Sequence, residues 1–320
     1  MFLNIVLIIV GFILLIKGAD FLVDGSSGVA KKFHIPEIVI GLTIVSIGTS
    51  MPELFVSITS ALEGYQDMAV GNVIGSNLCN LLLVLGLSAT ISPVIFKRQT
   101  KLIEIPMCLG ITVIFLILAN IGQGISTTDA IILITLFVLF IAYTIFMAKK
   151  GEDFDSKEPI VELQVDHKKE SKTIINIVKI VLGIVALKFG GDFVVDNAEQ
   201  IAHIFNISEK IISLTIIAIG TSLPELVTSV VAAIKHDSDI AIGNIIGSNI
   251  FNILLIIGAP ALIKPITYNT SYNLEMAILI VSTIVLGIFP YTDKKNEMTR
   301  SNGITYLMIY ALYMILLFVK

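Results

Sequence analysis

The chain has 320 residues, 55% hydrophobic and only 14% charged, with a formal net charge of −4; its mean hydropathy is +0.93. So few charges cannot cover a water-soluble core of this size, which excludes an ordinary soluble domain and points to a chain dissolved in lipid. The slight acidity identifies no partner, because the charges collect between apolar stretches, and no nucleic acid is expected.

A bilayer crossing takes roughly 20 apolar residues, about 17–25. In chain order the pattern predicts spans at Leu3–Val23, Pro36–Ala61, Met68–Ile91, Ile103–Ile121 and Asp129–Met147. After a polar stretch come Ile174–Val195, Lys210–Ile234, Ile240–Ile263, Leu274–Phe289 and Ile304–Val319. The first stretch lacks a basic leader and a small-residue cleavage site, so it reads as a span and not as a signal peptide. Cys79 and Cys108 both lie in apolar runs and read as buried thiols. Asp67 and Asp239 precede spans and read as helix N-caps. The expected organisation is a first five-helix unit over 1–148, a polar linker over 149–172 and a second five-helix unit over 173–320.

Basic residues set orientation. One side of the predicted membrane carries fifteen lysines and arginines, and the other carries three, Lys210, Lys264 and Lys320. The rich side, which includes the linker, is expected to be cytoplasmic, with both termini outside the cell membrane.

The two units repeat. Gly48-Thr49-Ser50-Met51-Pro52-Glu53 returns as Gly220-Thr221-Ser222-Leu223-Pro224-Glu225, an offset of 220 − 48 = 172. Gly71-Asn72-Val73-Ile74-Gly75-Ser76-Asn77 returns as Gly243-Asn244-Ile245-Ile246-Gly247-Ser248-Asn249 at the same offset. Five spans per unit is an odd number, so the second copy enters the membrane upside down. Such inverted repeats are typical of secondary transporters with a site at the repeat interface.

The duplicated block sits mid-span. Proline removes a backbone donor and clashes with the turn before it, so Pro52 and Pro224 should break their helices and free carbonyls near Ser46 and Gly48. Irregular backbone at that depth survives only inside protein or beside a watery cavity. A carboxylate there costs at least about 2.5–3.5 kcal/mol, and no lysine or arginine lies at matching depth to offset Glu53 and Glu225. A bound cation supplies the missing charge. Thr49, Ser50, Thr221 and Ser222 add hydroxyls; Ser76 and Asn80, like Ser248 and Asn252, share a helix face and can aim side-chain oxygens at the glutamates. This all-oxygen set suits Ca²⁺ or Na⁺ rather than zinc or copper. Taken singly, the glycines read as helix packing and a mid-span serine as bonded to its own backbone; the duplicated set is what points to a site.

These paired motifs resemble the α-repeats of the Ca²⁺/cation antiporter superfamily, most closely its prokaryotic sodium/calcium exchanger branch, over nearly the whole chain. The resemblance implies an all-α membrane protein of ten transmembrane helices in two inverted five-helix repeats. Helices 2, 3, 7 and 8 would be broken around a central ion site, and spans one and six would be long, tilted and sliding. It implies that Glu53 and Glu225 bind both Ca²⁺ and Na⁺, with Thr49, Ser50, Ser76, Thr221, Ser222 and Ser248 as ligands and backbone carbonyls near Ser46 and Ala218. Proton/calcium exchangers of the superfamily carry Gly-Asn-x-x-Glu where this chain has Gly-Thr-Ser-x-Pro-Glu, which favours sodium coupling. Potassium-dependent members place an aspartate at the position of Asn252. The expected function is Na⁺/Ca²⁺ antiport by a monomer without a cofactor, the ions being cargo. Proton/calcium exchange on the same scaffold is the runner-up, and a passive channel the lesser rival. An intramembrane enzyme is poorly supported, since no mid-span His or Lys could activate the hydroxyls.

Overall fold

The computed structural model describes residues 1–63, 66–122, 124–150, 173–205 and 218–319. Most of the expected linker, 151–172, and the start of the seventh predicted span, to residue 217, lie outside the described residues. The described chain is almost wholly helical. In the first half lie α1 (Phe2–Phe33), α2 (Glu37–Thr49), α3 (Met51–Glu63), α4 (66–91), α5 (Thr100–Ile121) and α6 (Thr127–Lys150). The second half holds α7 (Thr173–Ile204), α8 (Ala218–Thr221), α9 (Leu223–Ile234), α10 (Ser238–Ile263), α11 (Asn273–Thr292) and α12 (Arg300–Val319). Seven described helices are long and apolar enough to cross a bilayer, or eight if the bent α2–α3 pair counts as one span. The chain is a multi-pass helical membrane protein.

Helix α1 outruns its predicted span. It continues ten residues past Val23, to Phe33, and stops where His34 turns left-handed (φ 53°, ψ 36°) just ahead of Pro36. Asp20 and Asp24 do not end it because they are paired: Lys235 Nζ lies 3.0 Å from Asp20 and 2.8 Å from Asp24. At 32 residues each, α1 and α7 are roughly 48 Å long, well over the ~30 Å hydrocarbon layer. They pack through small residues. A Cβ on Gly11 would sit 2.8 Å from the carbonyl oxygen of Gly190, and one on Gly18 would sit 2.9 Å from that of Gly183. Only glycine lets two backbones come this close. Contacts that climb α1 descend α7, so the two helices run antiparallel.

Spans three and eight were expected to be broken, and they are not. α4 contains no proline and Pro260 lies late in α10, so both helices run through. Each widens into a π-turn instead, at Cys79–Val84 and at Asn252–Ile257. α10 is the buried spine: 94% of its apolar window is covered, against 28% for α1. Ile242, Ile245, Ile250, Leu254 and Ile257 are inaccessible to solvent. α2 lies tight along α10, since a Cβ on Gly243 would meet Ile38 O at 2.8 Å and one on Gly247 would meet Leu42 O at 2.7 Å.

Two short antiparallel ribbons join the halves. β1 (Val94–Ile95) pairs with β4 (Glu297–Met298), and β2 (Gly124–Ile125) pairs with β3 (Ile266–Thr267). The expected caps also differ. Asp67 falls within α4 and Asp239 within the first turn of α10, where its carboxylate lies 2.7 Å from Lys97 Nζ.

Candidate cation site

The two motif blocks fold alike. α2 ends at Thr49, Ser50 leaves the helical region (φ −84°, ψ 10°) and α3 resumes at Met51, bent by 48° from α2. In the second half α8 ends at Thr221, Ser222 takes φ −88°, ψ 6°, and α9 resumes at Leu223. The break thus falls on the serine, two residues before the proline. Pro52 and Pro224 become the second residue of a new helix, where a missing N–H costs least. One predicted carbonyl is not free: Ser46 O accepts from Ser50 N at 3.0 Å and from Thr49 Oγ1 at 3.3 Å. Ser46 Oγ donates to Leu42 O at 2.9 Å. Ala218 is the first residue of α8.

Both breaks deliver a glutamate to the protein interior. Glu53 and Glu225 are 0% exposed, and each is held by a hydroxyl from the opposite half. Ser50 Oγ donates to Glu225 Oε1 at 2.8 Å and lies 2.9 Å from Ser248 Oγ. Ser222 Oγ donates to Glu53 Oε1 at the longer distance of 3.4 Å. Ser76 stands beside Glu53, while Thr49 and Ser248 stand beside Glu225. None of the described ion pairs involves either glutamate; they lie instead at residues such as Asp20, Asp24, Asp192 and Asp239.

Five buried oxygens here accept and donate nothing: Glu53 Oε2, Glu225 Oε2, Asn80 Oδ1, Asn252 Oδ1 and Thr221 Oγ1. An orphaned buried polar atom ordinarily costs about 1–3 kcal/mol, and such atoms are rare enough that a cluster needs a cause. All five are hard oxygen donors of the kind that take Na⁺ or Ca²⁺.

Seven of the twelve predicted site residues, Glu53, Glu225, Ser50, Ser222, Ser76, Ser248 and Thr49, therefore touch one another at the two breaks. Thr221 ends α8, and Asn80 and Asn252 stand on the facing turns of α4 and α10, bonded to Asn249 and Asn77. Ser46 is bonded to its own helix, and the side chain of Ala218 lies outside the described residues. Sequence reasoning missed a further ring of amides. Asn72 Nδ2 donates to Ser57 Oγ at 3.0 Å and Asn244 Nδ2 to Ser229 Oγ at 2.9 Å. Asn244 Oδ1 also accepts from Thr49 Oγ1 at 3.0 Å. Asn80 Nδ2 donates to Asn249 Oδ1 at 3.2 Å and Asn252 Nδ2 to Asn77 Oδ1 at 2.9 Å. Their signal was present, since Ser57 and Ser229, like Asn77 and Asn249, stand at the offset of 172.

Comparison with known proteins agrees over both halves. A family profile described as sodium/calcium exchanger protein matches residues 3–146 and 175–319. The inner membrane protein YrbG of Escherichia coli is 37% identical over 294 residues, 89% of each chain. The sodium/calcium exchanger MaX1 of Methanosarcina acetivorans is 30% identical over 350 residues, 98% of each chain. A solved structure of the sodium-calcium exchanger NCX_Mj superposes with a TM-score of 0.80 at 32% identity, covering 97% of both chains. With its two halves matched by one family and its whole length matched by exchangers, this chain belongs to the sodium/calcium exchanger family of Ca²⁺/cation antiporters.

Proposed function

We propose that the chain is a secondary antiporter that exchanges Na⁺ for Ca²⁺ across the cell membrane by alternating access. The observation that carries this is the pair of fully buried carboxylates, Glu53 and Glu225, each bound by a serine of the other half and each with one oxygen unpartnered. Two ionised carboxylates bring −2, which one Ca²⁺ neutralises. Na⁺ ions would compete for the same oxygens. A loaded, neutral site tolerates enclosure in low dielectric; an empty one with two bare charges resists it, which couples the shape change to ion occupancy. Thr49, Ser50, Ser76, Asn80 and their counterparts Thr221, Ser222, Ser248 and Asn252 complete the proposed donor set, with carbonyls near Ser46 and Ala218.

The proposed frame has ten spans in two inverted repeats. In it α2–α3 form span two, α8–α9 close span seven and α12 is span ten. The antiparallel course of α1 and α7 supports inversion, because these are the first spans of the two repeats. The exchanged contacts support it too: Ser50 bonds Glu225 as Ser222 bonds Glu53, the reciprocity that a two-fold axis imposes. The distribution of lysine and arginine supports cytoplasmic placement of residues 149–172, with the termini outside. Every proposed ligand comes from one chain, which suits a monomer.

The test is ⁴⁵Ca²⁺ uptake into proteoliposomes preloaded with Na⁺, K⁺ or protons. Uptake driven by an outward Na⁺ gradient alone is expected. Equal uptake without internal Na⁺ would indicate a channel, and uptake driven only by protons would indicate the runner-up.

A further inference from the structure

We propose that Asn77 and Asn249, which are not among the donors above, are positioning residues that fix which end of the Asn80 and Asn252 amides faces the cations. The inference rests on the cation-exchange reading and adds to it a cause for donor orientation.

An asparagine amide has one acceptor end and one donor end of nearly equal size. Facing a cation, the oxygen is a ligand and the NH₂ group is repelled. Something must choose between them. Here the choice begins at two backbone carbonyls, which can only accept. Asn249 Nδ2 donates to Asn77 O at 3.3 Å, and Asn77 Nδ2 donates to Asn249 O at 3.2 Å. Each amide is thereby anchored by its nitrogen, so its oxygen must point the other way. Asn249 Oδ1 then demands a donor and receives Asn80 Nδ2 at 3.2 Å; Asn77 Oδ1 receives Asn252 Nδ2 at 2.9 Å. With their nitrogens committed, Asn80 and Asn252 have only oxygen left. Those are the two Oδ1 atoms that are buried without a partner.

The four amides are left no freedom. Flipping Asn80 would set its oxygen against Asn249 Oδ1, two acceptors with no proton between them. Flipping Asn249 as well would set its oxygen against a carbonyl. The four amides are buried, between 0% and 2% exposed, so water is not at hand to repair a mismatch. The lock also crosses the molecule: a residue of α10 orients the donor on α4, and a residue of α4 orients the donor on α10.

The test uses purified full-length protein and equilibrium ⁴⁵Ca²⁺ binding, with Na⁺-driven uptake measured in parallel. Asn249→Ala is expected to weaken Ca²⁺ binding roughly 10–100-fold, the usual cost of losing a group that orients a metal ligand, and Asn77→Ala to do the same. Asn80→Asp presents oxygen at both ends and needs no orientation. Adding it to Asn249→Ala should restore Ca²⁺ binding, as should Asn252→Asp added to Asn77→Ala. The Asn80→Ala, Asn249→Ala double variant should bind no worse than Asn80→Ala alone. Unchanged affinity in Asn249→Ala, additive losses in the double variant, or failure of Asn80→Asp to rescue a variant that still elutes as folded protein would each overturn the lock. Wild type that binds Ca²⁺ without Na⁺-driven uptake would overturn the exchange reading while the binding series still decides the lock.

Discussion

The centre of the molecule and the turn that closes α9 are built on opposite principles. At the centre many bonds have a twin: Ser50–Glu225 with Ser222–Glu53, Asn80–Asn249 with Asn252–Asn77, and Asn72–Ser57 with Asn244–Ser229. At residues 235–239 the sequence itself departs from the repeat. Lys235 bridges Asp20 and Asp24, Lys179 lies 3.7 Å from Asp24, Ser27 Oγ donates to Asp237 Oδ2 at 2.5 Å and Lys97 holds Asp239. The sequence position matching Lys235 is Glu63, and that matching Lys179 is Leu7. The repeat is kept around the two glutamates and departs from itself at positions 179 and 235, so the centre and the rim are held by different kinds of contact.

The largest expected effect is at the centre. Glu53→Ala or Glu225→Ala should abolish Na⁺-driven Ca²⁺ uptake, because either leaves a single carboxylate for a divalent ion; normal uptake by either variant would reject the assignment. Next comes a test of how equal the halves are. The Ser50–Glu225 bond is 2.8 Å and the Ser222–Glu53 bond 3.4 Å, and a hydrogen bond to a charged group is worth about 1.5–3 kcal/mol. Ser50→Ala should therefore raise the Ca²⁺ concentration for half-maximal uptake more than Ser222→Ala does, and the reverse order would show that the shorter bond is not the stronger. Acid is the third probe. Protons compete for the same two carboxylates, so initial uptake should fall as pH drops from neutral toward about 4–5, where carboxylates ordinarily protonate; a flat profile would count against ionised glutamates.

The rim should respond least. Burial works to lower the pKa of Lys235, but hydrogen bonds to Asp24 and Asp20 outweigh it and hold the amine above its ordinary 10.5. The bridge is thus complete at neutral pH, and on the alkaline side its contribution disappears as pH rises through that raised value. Half-exposed ion pairs are worth at most about 1 kcal/mol. Lys235→Gln should lower thermal stability slightly and leave Ca²⁺ affinity intact. A large affinity change in Lys235→Gln would mean the rim and the centre are one unit.

What could be read beforehand follows from the same contrast. The duplicated Thr, Ser, Pro and Glu residues were legible because an unpaired acid and a proline at mid-span are each costly and together hard to explain away. The apolar pattern alone ends α1 at Asp20 and Asp24, because the lysines that pair with them, Lys235 and Lys179, lie far along the chain; only the family resemblance implied a long first span. The π-turns left no mark, since Cys79–Val84 and Asn252–Ile257 contain nothing but good helix-compatible residues apart from their asparagines. Asn77 and Asn249 stood in the quoted motif, yet their role depends on α4 meeting α10 face to face, which no local pattern encodes. That the break falls at Ser50 rather than at Pro52, leaving the Ser46 carbonyl its helical partner, has no mark in the sequence.

The two ribbons carry a last consequence. β1 borrows its mate from between α11 and α12, and β3 borrows its mate from between α5 and α6. Neither half can finish its own edges. If residues 1–148 and 173–320 were translated as separate polypeptides, each would emerge with open strands and a lone carboxylate, and would become a stable protein only by finding the other.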